Sequence, residues 1–227
     1  MGTLYLVRHG QASFGAAQYD QLSPLGERQC ERLGRYWAER GLRFDAVLRG
    51  SLQRHAQTWD AIARGAGWAQ SPLEWPGLNE YDSHALLTAL APGMPTAALG
   101  DPTTPDGYRA HFRRLREALA QWMAGSLHPV GMPSYSGFVH GVTSALDHVR
   151  RAHAGQSVLI VSSGGPIATA VGQVLGLGPD AIIELNLRIR NSAVTEFVFT
   201  PRRHSLLSYN TLPHLDHPDC AGWVTYA

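Results

Sequence analysis

A chain of 227 residues with a formal charge of +1, 44% hydrophobic and 16% charged residues, has the composition of a soluble globular domain, with no global field for nucleic acid or a membrane surface. All 19 basic residues are arginines, and the lack of lysine excludes a P-loop lysine, a Schiff base and a lysine general base. Two cysteines make no disulfide framework, no apolar run is long enough to span a bilayer, and strand residues begin at once with no signal-peptide pattern, so a cytoplasmic protein is expected.

In chain order, Leu4 to Val7 reads as a buried strand. Ser23 before Pro24 is a helix N-cap with a first-turn proline. Cys30, Leu33 and Trp37 then recur at helical spacing until Gly41 supplies a stop. Phe44 to Leu48 is a second strand, and Leu52, Ala56, Trp59, Ile62 and Ala63 form a second helical stripe closed near Gly65 and Gly67. This β-α-β-α opening predicts a largely parallel sheet with helices on its faces.

Residues 71–106 carry six prolines and keep no long period, although Ser83 to Leu90 suits a short helix. Tyr108, Phe112, Leu115, Leu119 and Trp122 mark an amphipathic helix, and another is expected from about Ser136 to Ala152. The segment 76–135 reads as an insertion capping the sheet's edge within a single domain, 1–227. The α/β pattern resumes with a strand at Ser157 to Ser162 and a helix from Gly164 to about Leu175. Ile182 to Leu187 and Val194 to Phe199 are expected as two more strands, and the chain after Leu206 as a surface wrap.

Ligands of open α/β sheets bind beyond the carboxyl ends of the strands. Three such ends carry suitable groups: Arg8, His9 and Gly10 after the first strand, Arg49, Ser51 and Arg54 after the second, and Ser162, Ser163, Gly164 and Gly165 at a later helix N-terminus. Two arginines, a histidine and a helix N-terminus around one edge make a phosphate pocket.

The chain here resembles the histidine phosphatase superfamily, the phosphoglycerate-mutase-like phosphotransferases. The matching elements are Leu-Val-Arg-His-Gly at 6–10, Leu-Ser-Pro-Leu-Gly-Glu-Arg-Gln at 22–29, Ser-Leu-Gln-Arg-His-Ala-Gln-Thr at 51–58 and Leu-Asn-Glu at 78–80. Val-Leu-Ile-Val-Ser-Ser-Gly-Gly at 158–165 and Asn191 before a strand complete an ordered set that spans nearly the whole chain.

The resemblance implies a three-layer α/β sandwich with a mostly parallel sheet and a helical capping insertion. It implies hydrolysis of a small phosphorylated substrate through a phosphohistidine at His9, with no metal or other cofactor. Arg8 and Arg54 would hold the phosphoryl oxygens, and Gln11, Ser13, Ser163 and Gly164 would line the phosphate. Glu80 would be the general acid, with Asp82 as its rival.

Two departures bear on function. Where the family has a second histidine, in Ser-His-Gly-Gly, this chain has Ser163, a shorter and neutral donor. Either a slow phosphatase or a phosphate-binding protein without turnover fits that change. After Arg-His-Gly the chain runs Gln-Ala-Ser-Phe-Gly, with Phe14 and Gly15 where mutases of the family carry Trp-Asn, which favours the phosphatase branch.

Other readings are weaker. His55, His84 and His140 could fold back into the site beside Ser163 but are read as ordinary surface or helix-packing histidines, and His214, His217 and Cys220 as part of an extended tail, not a zinc site. A serine hydrolase built on Ser163 fails because position 161 of a Gly-x-Ser-x-Gly elbow is Val161. Tyr81, His84, Trp75 or Trp122 would line the cap and choose the substrate; inorganic phosphate is the minimal ligand, and no nucleic-acid partner is expected.

Overall fold

A computed structural model describes residues 1–12, 20–93 and 104–226. Its centre is a six-stranded sheet of order β3-β2-β4-β1-β5-β6. The strands are β1 (Gly2–Arg8), β2 (Ala46–Arg49), β3 (Leu73–Glu74), β4 (Ser157–Ser162), β5 (Val194–Phe199) and β6 (His204–Thr211). The first four run parallel, while β5 joins antiparallel to β1 and β6 antiparallel to β5. The mostly parallel sheet is therefore as expected.

Among the described residues seven α-helices pack on it: α1 (Pro24–Glu39), α2 (Gln53–Ala66), α3 (Ser83–Leu90), α4 (Pro105–Met123), α5 (Tyr135–Ala152), α6 (Gly164–Leu175) and α7 (Pro179–Arg188). The period-2 alternation of the central strands divides the core in two. Leu4, Leu6, Val158 and Ile160 face a cluster that also takes residues of α3 to α7, including Leu86, Leu115, Trp122, Phe138 and Ile183. Val7, Leu159 and Val161 face the other cluster, built with Leu33 and Trp37 of α1 and Trp59 and Ile62 of α2. The helices of 76–135 thus share their core with one face of the sheet.

Local signals explain most of the boundaries. Ser23 caps α1 by accepting a hydrogen bond from the Gly26 N–H, and Ser134 does the same for Gly137 at the start of α5. Two expectations are corrected. Ile182 to Leu187 is helical, not a strand: Pro179 at the first turn, Asp180 beside it and Arg188 in the last turn suit a helix, and Ile182 and Ile183 bury side by side on α6. The chain after Leu206 does not simply wrap the surface, because β6 continues to Thr211 as an edge strand on β5. No helix among the described residues is long and apolar enough to cross a membrane.

Candidate active site

Every parallel strand ends at the same edge, and the parallel register sets what stands there. Arg8 pairs with Ser162 across β1 and β4, and the His9 N–H donates to the Ser162 carbonyl at 2.9 Å. Gly10 follows because nothing larger fits: a Cβ would stand 2.4 Å from the Gly26 carbonyl oxygen of α1. From the neighbouring strand, Gly50 donates to the Val161 carbonyl at 3.1 Å and leads into α2, whose first turn carries Arg54. The turn at Pro76–Leu78 brings Glu80 in from the other side.

These placements bring Arg8, His9, Arg54 and Glu80 together on one cleft. Tyr81, Ser83, His111, Phe112, Leu115, Asn186 and Leu187 complete its lining. Arg8 and His9 are nearly buried, at 6% and 5% exposure, as is Arg54 at 6%. Arg8 donates to the Ile189 carbonyl at 2.6 Å, and Arg54 donates to Asp20 at 2.8 Å. His9 Nδ1 lies 2.8 Å from the carbonyl oxygen of Gly10. A carbonyl can only accept, so Nδ1 carries the proton and Nε2 keeps its lone pair.

Burial, reinforced by the positive charges of Arg8 and Arg54 and by His55, holds His9 well below the usual histidine range, so the ring is neutral. Glu80 shifts the other way. Desolvation of its carboxyl raises it above the ordinary carboxylate range, against the lowering effects of the Gly165 N–H, Arg54 and Arg8. The Gly165 N–H stands 3.1 Å from both carboxylate oxygens, at the N-terminus of α6. An imidazole held below its usual range and a carboxyl held above its own on one cleft, with two guanidinium groups, can divide nucleophile and acid between them.

The remaining expected residues sit differently. Gln11 turns to the start of α1, where its side-chain oxygen accepts from the Ser23 hydroxyl at 2.7 Å. Ser13, with Phe14 and Gly15, lies outside the described residues. Ser163 and Gly164 form the fully buried start of α6. Asp82 is exposed and caps α3 through the Ala85 N–H, away from the cleft. Of the anticipated cap residues, Tyr81 lines the cleft; His84 is exposed, Trp75 stacks near His148, and Trp122 packs in the apolar core.

His84 and His140 are exposed, but His55 is not an ordinary packing histidine: it is fully buried, with Nε2 2.7 Å from the Ser163 hydroxyl and its ring 6.0 Å from that of His9. His214 bonds Ser192, His217 accepts from the Asp219 N–H, and Cys220 joins the apolar core. Among the described residues no three His, Cys, Asp or Glu side chains gather as a metal site.

Sequence reasoning missed Asp20, whose carboxylate accepts from the backbone N–H groups of Gln53 and Arg54 as well as the Arg54 side chain. The available signal was that Leu52, at the N-cap just before α2, has no capping side chain, so a cap had to come from elsewhere. It also missed Asn186, which donates to the Tyr81 hydroxyl at 2.8 Å across the cleft wall.

Residues 4–88 and 103–212 match the model of the histidine phosphatase superfamily, branch 1. A broad-specificity phosphatase of Saccharomyces cerevisiae is 31% identical over 84 residues, covering 34% of this chain and 36% of its own. A 2,3-bisphosphoglycerate-dependent phosphoglycerate mutase of Nitratidesulfovibrio vulgaris is 25% identical over 82% of this chain and 83% of its own. A solved phosphoserine phosphatase of Entamoeba histolytica, in complex with 3-phosphoglyceric acid, shares the fold with a TM-score of 0.65 at 20% identity, over 95% of this chain and all of that one. The relatives thus include both phosphatases and mutases, and the match to the yeast protein spans little more than a third of its length. With its sheet order, its strand-end residues and a family match running through most of its length, the chain belongs to the histidine phosphatase superfamily.

Proposed function

We propose that the protein is a phosphomonoesterase that passes the phosphoryl group through His9. The observation that carries this reading is the His9 ring itself: neutral, fixed through Nδ1 to the Gly10 carbonyl, with Nε2 available at a cleft that also holds two guanidinium groups. In the first step Nε2 attacks phosphorus, the ester P–O bond breaks, and Glu80 gives its proton to the leaving oxygen. In the second, Glu80 takes a proton from water, the hydroxide attacks phosphorus, and the N–P bond breaks to release inorganic phosphate. Splitting the displacement in this way lets one carboxyl serve as acid and then base. Arg8 and Arg54 balance the charge on the transferring group, and positioning with charge stabilisation supplies most of the rate in phosphoryl transfer. Glu80, and not Asp82, takes the acid role because Asp82 is committed to capping α3 outside the cleft.

The lining also limits the leaving group. The cleft encloses about 690 Å³, its open mouth included, which suits a small phosphomonoester. Among its described lining residues Arg8 and Arg54 are the permanent cations, and the segments 13–19 and 94–103 contain no basic residue. Burial keeps His111 below the usual histidine range. One phosphate matches two guanidinium groups; a second phosphate or a carboxylate on the substrate finds no further permanent cation among the described lining residues, only Tyr81, Ser83, His111 and Asn186 beside Phe112, Leu115 and Leu187. The favoured substrate is therefore the monophosphate of an uncharged alcohol, selected by the 76–135 cap, and hydrolysis is favoured over mutase transfer.

Wild type, His9→Ala and Arg54→Ala incubated with an aryl phosphate test this. Turnover with an acid-labile phosphoprotein in wild type is expected, abolished in His9→Ala, with phosphate binding weakened in Arg54→Ala. Phosphate binding without any difference in turnover between wild type and His9→Ala would instead identify a binding protein that has lost catalysis.

A further inference from the structure

Ser163 occupies a helix N-cap position yet does no capping, and the reason lies in its neighbours. A serine there ordinarily accepts a hydrogen bond from the second or third N–H of the helix. In α6 the third residue is Pro166, which has no N–H, and the second, Gly165, already donates to Glu80. The Ser163 side chain is thereby left to a different partner. It is fully buried, and its one side-chain hydrogen bond among the described residues is to His55 Nε2 at 2.7 Å.

The His55 ring is built into this place. A Cβ at position 50 would stand 2.2 Å from His55 Nδ1, so Gly50 makes the room for the imidazole. Nδ1 has no hydrogen-bond partner. An orphaned buried N–H is rarer in folded proteins than an under-used acceptor, which places the ring's proton on Nε2. His55 then donates to the Ser163 oxygen, and the Ser163 hydroxyl proton must find an acceptor. Ser163 stands in the chain between Ser162, whose carbonyl holds the His9 N–H, and Gly165, whose N–H holds Glu80. The His55 ring that holds the serine lies 6.0 Å from the ring of His9, so the pair stands beside the nucleophile.

We propose that Ser163 and His55 work as a relay pair: His55 holds the serine oxygen, and the Ser163 hydroxyl donates to a phosphoryl oxygen carried on or arriving at His9. Ser163 is then a catalytic residue and His55, from α2, a positioning residue. The imidazole absent from position 163 is present in the same site, one side chain removed. This rests on the phosphohistidine reading above, but concerns a different pair of residues.

The test uses kcat, KM for an aryl phosphate and thermal melting of the full chain. Ser163→Ala is expected to lower kcat about 10- to 100-fold with KM little changed, less than the cost of losing a charged donor. Ser163→Thr, which keeps the hydroxyl, retains most of the rate. His55→Gln keeps an amide donor and is expected to stay near wild type, whereas His55→Leu fills the space without one and falls like Ser163→Ala. The His55→Leu/Ser163→Ala double variant should be no slower than the worse single, because the two act as one unit. Losses that multiply, or a folded Ser163→Ala with kcat within about twofold of wild type, would overturn the pair. His9→Ala separates the two ideas: if it matches wild type, the phosphohistidine reading falls and this one with it. If His9 is required and Ser163→Ala is silent, only the relay falls.

Discussion

His9 and Glu80 share a cleft but are displaced in opposite directions, and the pH dependence of activity should show both. Lowering of His9 keeps its free base below the usual histidine range, so kcat/KM should hold on the acid side of about pH 6.5 instead of falling there. Raising of Glu80 keeps its proton above the ordinary carboxylate range, and the alkaline limb should follow loss of that proton. Glu80→Gln is expected to lower kcat by about 10²- to 10⁴-fold for a poor leaving group and to remove the alkaline limb; an unchanged limb would assign it to another group. Arg8, His9, Arg54 and Glu80 were legible because each follows a strand end or a motif that can be read locally. His55 was not, since its partner lies 108 residues away and a histidine beside an arginine on a helix carries no local mark of burial.

Between elements, the contact of α1 with α2 matters most for the site, because α2 carries Arg54 and His55. The two helices nest through reciprocal glycines. A Cβ on Gly34 would stand 2.1 Å from the Ile62 carbonyl oxygen, and one on Gly65 would stand 2.0 Å from that of Glu31. Gly34→Ala must therefore push α2 outward. It is expected to cost about 1–3 kcal/mol in denaturant unfolding and also to weaken phosphate binding as Arg54 moves. Loss of stability with unaltered phosphate affinity would show that the first turn of α2 is held by Asp20 alone. Capping chemistry made α1 and α5 readable in advance. Ile182 to Leu187 misled because its apolar residues satisfy a strand's alternation as well as a helical face, and only packing on α6 decides between them. Edge strand β6 escaped notice for a similar reason: its residues are nearly all half-buried and show no alternation to read.

Across the whole molecule, three buried histidines are held neutral: His9, His55 and His214, the last lowered to about 3 by burial and by Arg32. Their folded-state values lie below the unfolded value of 6.5, so each contributes stability that is present above 6.5 and lost as pH falls toward the folded value. His214→Gln should flatten the dependence of unfolding free energy on pH by about 1.4 kcal/mol per pH unit between about pH 4 and 6. A slope equal to that of wild type would mean His214 is already charged in the fold. The parallel sheet and its two-sided core followed from periodicity, whereas the long-range braces of the site did not. Thr225 and Trp223 accept from Gln29 of α1, and the Thr225 carbonyl holds the Asn191 N–H, beside the Ser192 N–H that reaches the His9 carbonyl. Timing follows from this arrangement. His9 is made before its partners: β1 needs β4 and β5 on either side, and the brace behind its carbonyl comes from the Ser192 N–H. In synthesis His9 therefore precedes, by a long stretch of chain, the strands and the Ser192 N–H that fix it, and the cleft forms only when these have folded onto β1.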